Sequence, residues 1–149
     1  MNSMAIVDFE PKLCSGCWAC TMTCVDQNDL VLEEACDAFR LVSRKEYDEK
    51  GNLILSWKMD GCMHCDSCAC ETVCPCGCFE TRENGLVILS NADCIGCETC
   101  AQVCPNNAIH FVKGKAVKCN GCEERVKAGL RPACERICPS GALTFALKT

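Results

Sequence analysis

The spacing of its cysteines constrains this chain more than any other feature. Cys14, Cys17, Cys20 and Cys24 follow C-x2-C-x2-C-x3-C, and Cys94, Cys97, Cys100 and Cys104 repeat that spacing with Pro105 appended. Cys119, Cys122, Cys134 and Cys138 keep the C-x3-C-P ending through Pro139 but place eleven residues between the second and third cysteines. A further group opens with Cys62, Cys65 and Cys68, yet only Cys70 restores the C-x3-C-P ending through Cys74 and Pro75. We therefore take Cys70 as the third member of that group. Sixteen of the 20 cysteines fall into four sets of four, leaving Cys36, Cys68, Cys76 and Cys78.

Composition says why the sulfurs must matter structurally. Cysteine makes up about 13% of the chain, above the roughly 8–10% that marks a cysteine framework. Leu, Ile, Val and Phe together number 32 of 149 residues, near the lower limit for a self-supporting apolar core. Cross-links must make up the difference. Residues Met1 to Glu10 have neither a basic start nor an apolar signal core, so the chain is expected in the cytoplasm, where thiols stay reduced. Metal binding is then favoured over disulfides.

The two metal readings differ in their spacing. C-x2-C-x2-C-x3-C-P is the run that holds cubane iron–sulfur clusters, and sixteen thiolates supply four [4Fe–4S] clusters. Three cysteines two residues apart wrap one cluster, and the fourth, on the helical turn that follows, points to a neighbour. The proline after it ends the turn and launches a strand. Structural zinc also takes C-x2-C pairs, but from two pairs at a distance rather than from three-cysteine loops. For Cys68, Cys76 and Cys78 two readings stay open: packed free thiols, or extra or alternative ligands such as a lone zinc site.

Between the groups the sequence reads as short strands at Ala5–Phe9, Leu53–Trp57, Phe79–Thr81, Leu86–Leu89, Ile109–Val112, Ala116–Lys118 and Leu143–Ala146. Asn84-Gly85 and Lys113-Gly114 mark hairpin turns. Helices are expected over Thr21–Asp26, Glu98–Val103 and Glu123–Ala128. The stretch 25–60, poor in cysteine and rich in charge, reads as a surface insertion. A formal charge of −5 argues against nucleic-acid binding, and no apolar run approaches the roughly 20 residues of a membrane span. The charge is uneven: residues 1–60 carry 11 acids and 6 bases, whereas 111–136 carry 7 bases and 3 acids. No phosphate-binding loop, dinucleotide fingerprint or Ser/His/Asp set is present, so no catalytic residues are expected. Trp18 is placed to shield its cluster from water. His64, between two ligands, reads either as a cluster-tuning group or as a solvent-facing filler, and His110 as part of a strand.

The four groups in this order, with the stretched fourth, resemble the four-cluster ferredoxin-like electron-transfer subunits of multisubunit oxidoreductases. These are the iron–sulfur partners of dimethyl sulfoxide reductase, formate dehydrogenase, formate hydrogenlyase, carbon monoxide dehydrogenase and tungsten aldehyde oxidoreductase enzymes. Cys62-Met63-His64-Cys65, Cys94-Ile95-Gly96-Cys97 and Cys138-Pro139-Ser140-Gly141-Ala142-Leu143 carry the likeness, which runs from Val7 to Phe145. Cys68, Cys76 and Cys78 depart from it.

The resemblance implies pairing of the first group with the fourth and the second with the third. One cluster would take Cys14, Cys17, Cys20 and Cys138, and its neighbour Cys119, Cys122, Cys134 and Cys24. A third would take Cys62, Cys65, Cys70 and Cys104, and the last Cys94, Cys97, Cys100 and Cys74. The implied fold is α+β: two pseudo-twofold-related ferredoxin-like modules with short antiparallel hairpins and short helices. One module would span 1–30 with 111–149 and the other 61–110, with the insertion at 25–60. The implied role is a non-catalytic relay of single electrons through four [4Fe–4S] clusters. Its partners would be a large molybdenum, tungsten, nickel or iron oxidoreductase subunit and a second redox subunit. The rival readings are a free-standing polyferredoxin shuttle and a zinc-stabilised scaffold.

Overall fold

Every sheet among the described residues has two strands. The computed structural model describes residues 5–30 and 38–148. Cys36 lies outside them. The chain ends meet in the pair β1 (Val7–Phe9) and β8 (Leu143–Phe145), with Val7 opposite Phe145 and Phe9 opposite Leu143. The other pairs are hairpins: β2 (Arg40–Glu49) with β3 (Asn52–Gly61), β4 (Phe79–Thr81) with β5 (Val87–Leu89), and β6 (His110–Val112) with β7 (Lys115–Val117). Lys50-Gly51 and Lys113-Gly114 turn the first and last of these in two residues, all at positive φ, as such tight turns require. The loop at Asn84-Gly85 is longer than a two-residue turn, because strand pairing stops at Thr81 and Val87 and Arg82 bonds back to Leu86.

Among the described residues five helices connect the hairpins: α1 (Ala19–Gln27), α2 (Ala69–Val73), α3 (Thr99–Val103), α4 (Glu123–Lys127) and α5 (Ala133–Ile137). All but α1 have five residues, too few to be stable in isolation. Packing sustains them, α1 against α5 and α2 against α3. The strands expected at Phe79–Thr81 and near residues 7, 53, 87, 110, 116 and 143 are present, as are α1, α3 and α4. Helices α2 (Ala69–Val73) and α5 (Ala133–Ile137) are additional to the helices the sequence predicts.

The core is threaded with sulfur. Leu86, Val87, Val42 and Leu143 are almost completely buried, and Cys20, Cys24, Cys62, Cys68, Cys78, Cys100, Cys119 and Cys134 are buried among them. The long β2–β3 hairpin differs from the expected surface insertion. Its tip is exposed, but its base carries Arg40, Val42 and Met59 into the interior. The β6–β7 hairpin packs on the third cysteine loop. A Cβ added at Gly96 would collide with the carbonyl oxygen of Gly114, so only glycine lets the two backbones approach.

Candidate metal centres

One local geometry recurs in all four cysteine loops. The residue two after the first cysteine is left-handed in each: Gly16 (φ 70°), His64 (50°), Gly96 (69°) and Gly121 (68°). That turn folds backbone N–H groups back toward sulfur. Gly16 donates to Cys14 Sγ at 3.4 Å, His64 to Cys62 Sγ at 3.4 Å and Gly121 to Cys119 Sγ at 3.2 Å. The third cysteine is always the second residue of a helix: Cys20 in α1, Cys70 in α2, Cys100 in α3 and Cys134 in α5. The fourth comes one turn later, Cys24 inside α1 and Cys74, Cys104 and Cys138 at the C-caps of α2, α3 and α5. Four residues advance a helix by about 6 Å along one face, so these two thiols open toward different neighbouring spaces.

Four cavities result, each lined by at least four cysteines. Centre I is lined by Cys14, Cys17, Cys20 and Cys138. Centre II is lined by Cys24, Cys119, Cys122 and Cys134. Centre III is lined by Cys62, Cys65, Cys70 and Cys104, with Cys68 also at its wall. Centre IV is lined by Cys74, Cys94, Cys97 and Cys100, with Cys76 and Cys78 beside them. The helix pair α1 and α5 serves centres I and II, and α2 and α3 serve III and IV. Among the described cysteines only Cys17 and Cys97, in centres I and IV, are exposed.

The leftover cysteines separate by position. Cys68 is the N-cap of α2, the place held by Trp18, Glu98 and Pro132 in the other groups, and its thiol donates to the Cys65 carbonyl at 2.7 Å. Cys68 lines centre III while Cys76 and Cys78 line centre IV, so the three do not gather into one site. Among the described residues, no three His, Cys, Asp or Glu side chains converge on the coordination sphere of one ion. Trp18 lines centre I but leaves 48% of its surface exposed, a weaker shield than its sequence position suggested. Trp57, from β3, packs directly over Gly16 of the same loop.

Several of the buried thiols are poor anions on their own. Burial pushes Cys24, Cys70 and Cys134 up to about 12. Only a few are eased the other way. Hydrogen bonds from the Thr99 hydroxyl and amide lower Cys97, and for Cys138 burial is outweighed by bonds from Ser140, Leu143 and Ala142. Buried thiols of this kind ionise when a bound metal takes the proton's place. An all-sulfur donor set, at least four to a cavity, with amides turned on the sulfurs, fits an iron–sulfur cluster.

Three further groups meet between centres II and III. Arg40, 1% exposed, donates from Nη2 to the Cys62 carbonyl at 2.9 Å and lies 3.8 Å from Cys119 Sγ. Lys118, 6% exposed, places Nζ 3.5 Å from Cys62 Sγ and donates to the carbonyls of Val87 and Cys119. His64, fully buried rather than solvent-facing, accepts the Val87 N–H on Nδ1 at 2.9 Å and brings Nε2 to 3.7 Å from Cys119 Sγ. Arg40 and Lys118 escaped the sequence reading. Lys118 adjoins a ligand and so gave a weak signal; Arg40, inside the supposed insertion, gave none.

Comparison with known proteins follows the same lines. The family model for the 4Fe-4S dicluster domain matches residues 53–148. The B subunit of the anaerobic dimethyl sulfoxide reductase of Escherichia coli (strain K12) is 34% identical over 139 residues, covering 89% of this chain and 68% of that protein. The thiosulfate reductase electron transfer subunit PhsB of Salmonella typhi is 35% identical over 150 residues, covering 97% of this chain and 77% of its own. The iron–sulfur subunit of the nitrate-inducible formate dehydrogenase of Escherichia coli (strain K12) is 33% identical over 151 residues, covering 91% and 51%.

Proposed function

This protein belongs to the 4Fe-4S dicluster-domain family of iron–sulfur subunits, and we propose that it relays single electrons to or from a large catalytic oxidoreductase subunit. The observation that carries the reading is that at least four cysteines line each of four cavities. Each cavity would hold one [4Fe–4S] cluster, with the ligand sets of centres I to IV as given above. Such clusters, when bound, accept and release one electron at a time without bond making or breaking.

The protein's own part is to hold, space and shield. Helix α1 gives Cys20 to centre I and Cys24 to centre II, while α5 gives Cys134 to II and Cys138 to I. Helices α2 and α3 exchange Cys74 and Cys104 between III and IV in the same way. This supports two paired modules joined between II and III, in the order I, II, III, IV. The β6–β7 hairpin packs on the Cys94 loop, which supports counting it with the second module. Centres I and IV, where Cys17 and Cys97 reach the surface, are the natural points of electron entry and exit toward partners.

A cytoplasmic setting accords with so many reduced thiols. No helix among the described residues is long and apolar enough to cross a membrane. Anaerobic affinity capture from the source cells tests the partnership. Stoichiometric recovery with a large redox-enzyme subunit is the expected result, and recovery of this protein alone would favour the shuttle.

A further inference from the structure

The interior between centres II and III holds positive charge that no carboxylate among the described residues balances. Arg40 and Lys118 are both buried, and among the described residues neither is paired with Asp or Glu. The Nε and Nη1 atoms of Arg40 are buried without a hydrogen-bond partner. Burying a cation this way is strongly unfavourable unless an anion lies close by. The negative groups within reach are the cysteine sulfurs: Cys62 from Lys118, and Cys119 from Arg40.

His64 completes the contact. In the three other loops its place is taken by Gly16, Gly96 and Gly121. Here a side chain occupies the left-handed position and spans from the Cys62 loop to Cys119. Because Nδ1 accepts the Val87 N–H, the ring proton sits on Nε2 and points to Cys119 Sγ.

On the cluster assignments above, we propose that Arg40, Lys118 and His64 form a charged and hydrogen-bonding bridge that favours an added electron on the two inner centres, II and III, over the outer pair. An electron arriving at either centre adds one negative charge and brings no proton. A fixed cation in a water-poor interior stabilises that reduced state more than the oxidised one. Hydrogen bonds to the ligand sulfurs act in the same direction. Centre I has no buried cation at its wall. Centre IV has Lys115, which reaches the Cys94 carbonyl at 3.4 Å but is only part-buried, so solvent screens it. The bridge thus sets the inner pair as the place where electrons rest between the two surfaces. All three residues are positioning residues, acting on the clusters through sulfur and field.

The test is an EPR-monitored potentiometric titration of the anaerobically isolated, iron-loaded protein, comparing wild type with four variants. Arg40→Met is expected to weaken reduction of two of the four clusters at least tenfold, a drop of about 59 mV for one electron, while the other two hold. Arg40→Lys, which keeps the charge, should recover most of that loss. His64→Gly restores the residue found in the sibling loops and should lower one cluster, by less. Lys45→Met removes a charge from the exposed part of the same hairpin and should change nothing. Iron per chain is measured for each variant, and where Arg40→Met fails to load, Arg40→Lys and His64→Gly decide the matter. Unmoved potentials in loaded variants, or an equal shift of all four clusters, would overturn the bridge while leaving the cluster reading intact. A wild-type protein lacking cubane signals would overturn that reading, and the bridge with it.

Discussion

Replacing Gly96 by alanine isolates the contact that seats the third cysteine loop against its hairpin. Two costs add. Gly96 sits at φ 69°, where an L-residue loses about 1–2 kcal/mol. Its new Cβ would also run into the Gly114 carbonyl oxygen, a backbone atom that cannot swing aside. Forced overpacking of this kind costs about 1–3 kcal/mol, so the sum is about 2–5 kcal/mol. Gly114→Ala is the matched control, because Gly114 has φ 77° but nothing within 4 Å of its Cβ position. Only the first cost, about 1–2 kcal/mol, applies there. For a chain of this size 1 kcal/mol moves the melting midpoint by about 2–4 °C, so the variants should differ by roughly 2–12 °C. The assay is anaerobic thermal loss of the iron–sulfur absorption band, at one fixed scan rate because release of iron is irreversible. Equal midpoints for the two variants would show that the hairpin does not press on the Cys94 loop.

Three other perturbations probe separate parts of the account. Cys70→Ser should empty centre III and lower bound iron from about sixteen toward about twelve per chain, whereas Cys68→Ser should leave iron unchanged; iron analysis of the two variants reverses the assignment if the outcomes are exchanged. Stripping iron with a chelator should abolish the folded signal in circular dichroism rather than leave a stable empty shell, since metal–thiolate bonds replace much of the apolar core. Glu135 accepts the Phe145 N–H at 3.1 Å and pairs with Arg131, tying α5 to β8. Glu135→Ala removes bonds to a charged group and should cost about 1.5–3 kcal/mol, read as an earlier loss of the same absorption band, while Glu124→Ala on the exposed face of α4 should not.

How much of this was legible before the structure follows from how local each signal is. The third and fourth cysteines of each group lie one helical turn apart, so Cys20 with Cys24, or Cys100 with Cys104, carry their geometry in four consecutive spacings. Two-residue turns are equally local, and Lys113-Gly114 behaves as its sequence suggests. The choice of Cys70 over Cys68 rested on the C-x3-C-P ending alone; the structure adds that Cys70 takes the second helical position held by Cys20, Cys100 and Cys134. By contrast, β2 is charged on both faces over most of its length and shows no alternation. Arg40 is the extreme case. Its contacts to Cys62 and Cys119 span 22 and 79 residues of sequence, and nothing near residue 40 announces them. His64 was half-legible: its place between two ligands was plain, but that it stands where the other loops have glycine, and what it reaches from there, needed the fold.

The central claim is that sixteen cysteines hold four cubanes, and one measurement meets it directly. Iron and acid-labile sulfide are quantified together on anaerobically purified protein, with zinc measured on the same sample. The account predicts about sixteen iron and sixteen sulfide per chain with negligible zinc. About eight iron, or a preparation in which zinc replaces iron, would contradict it.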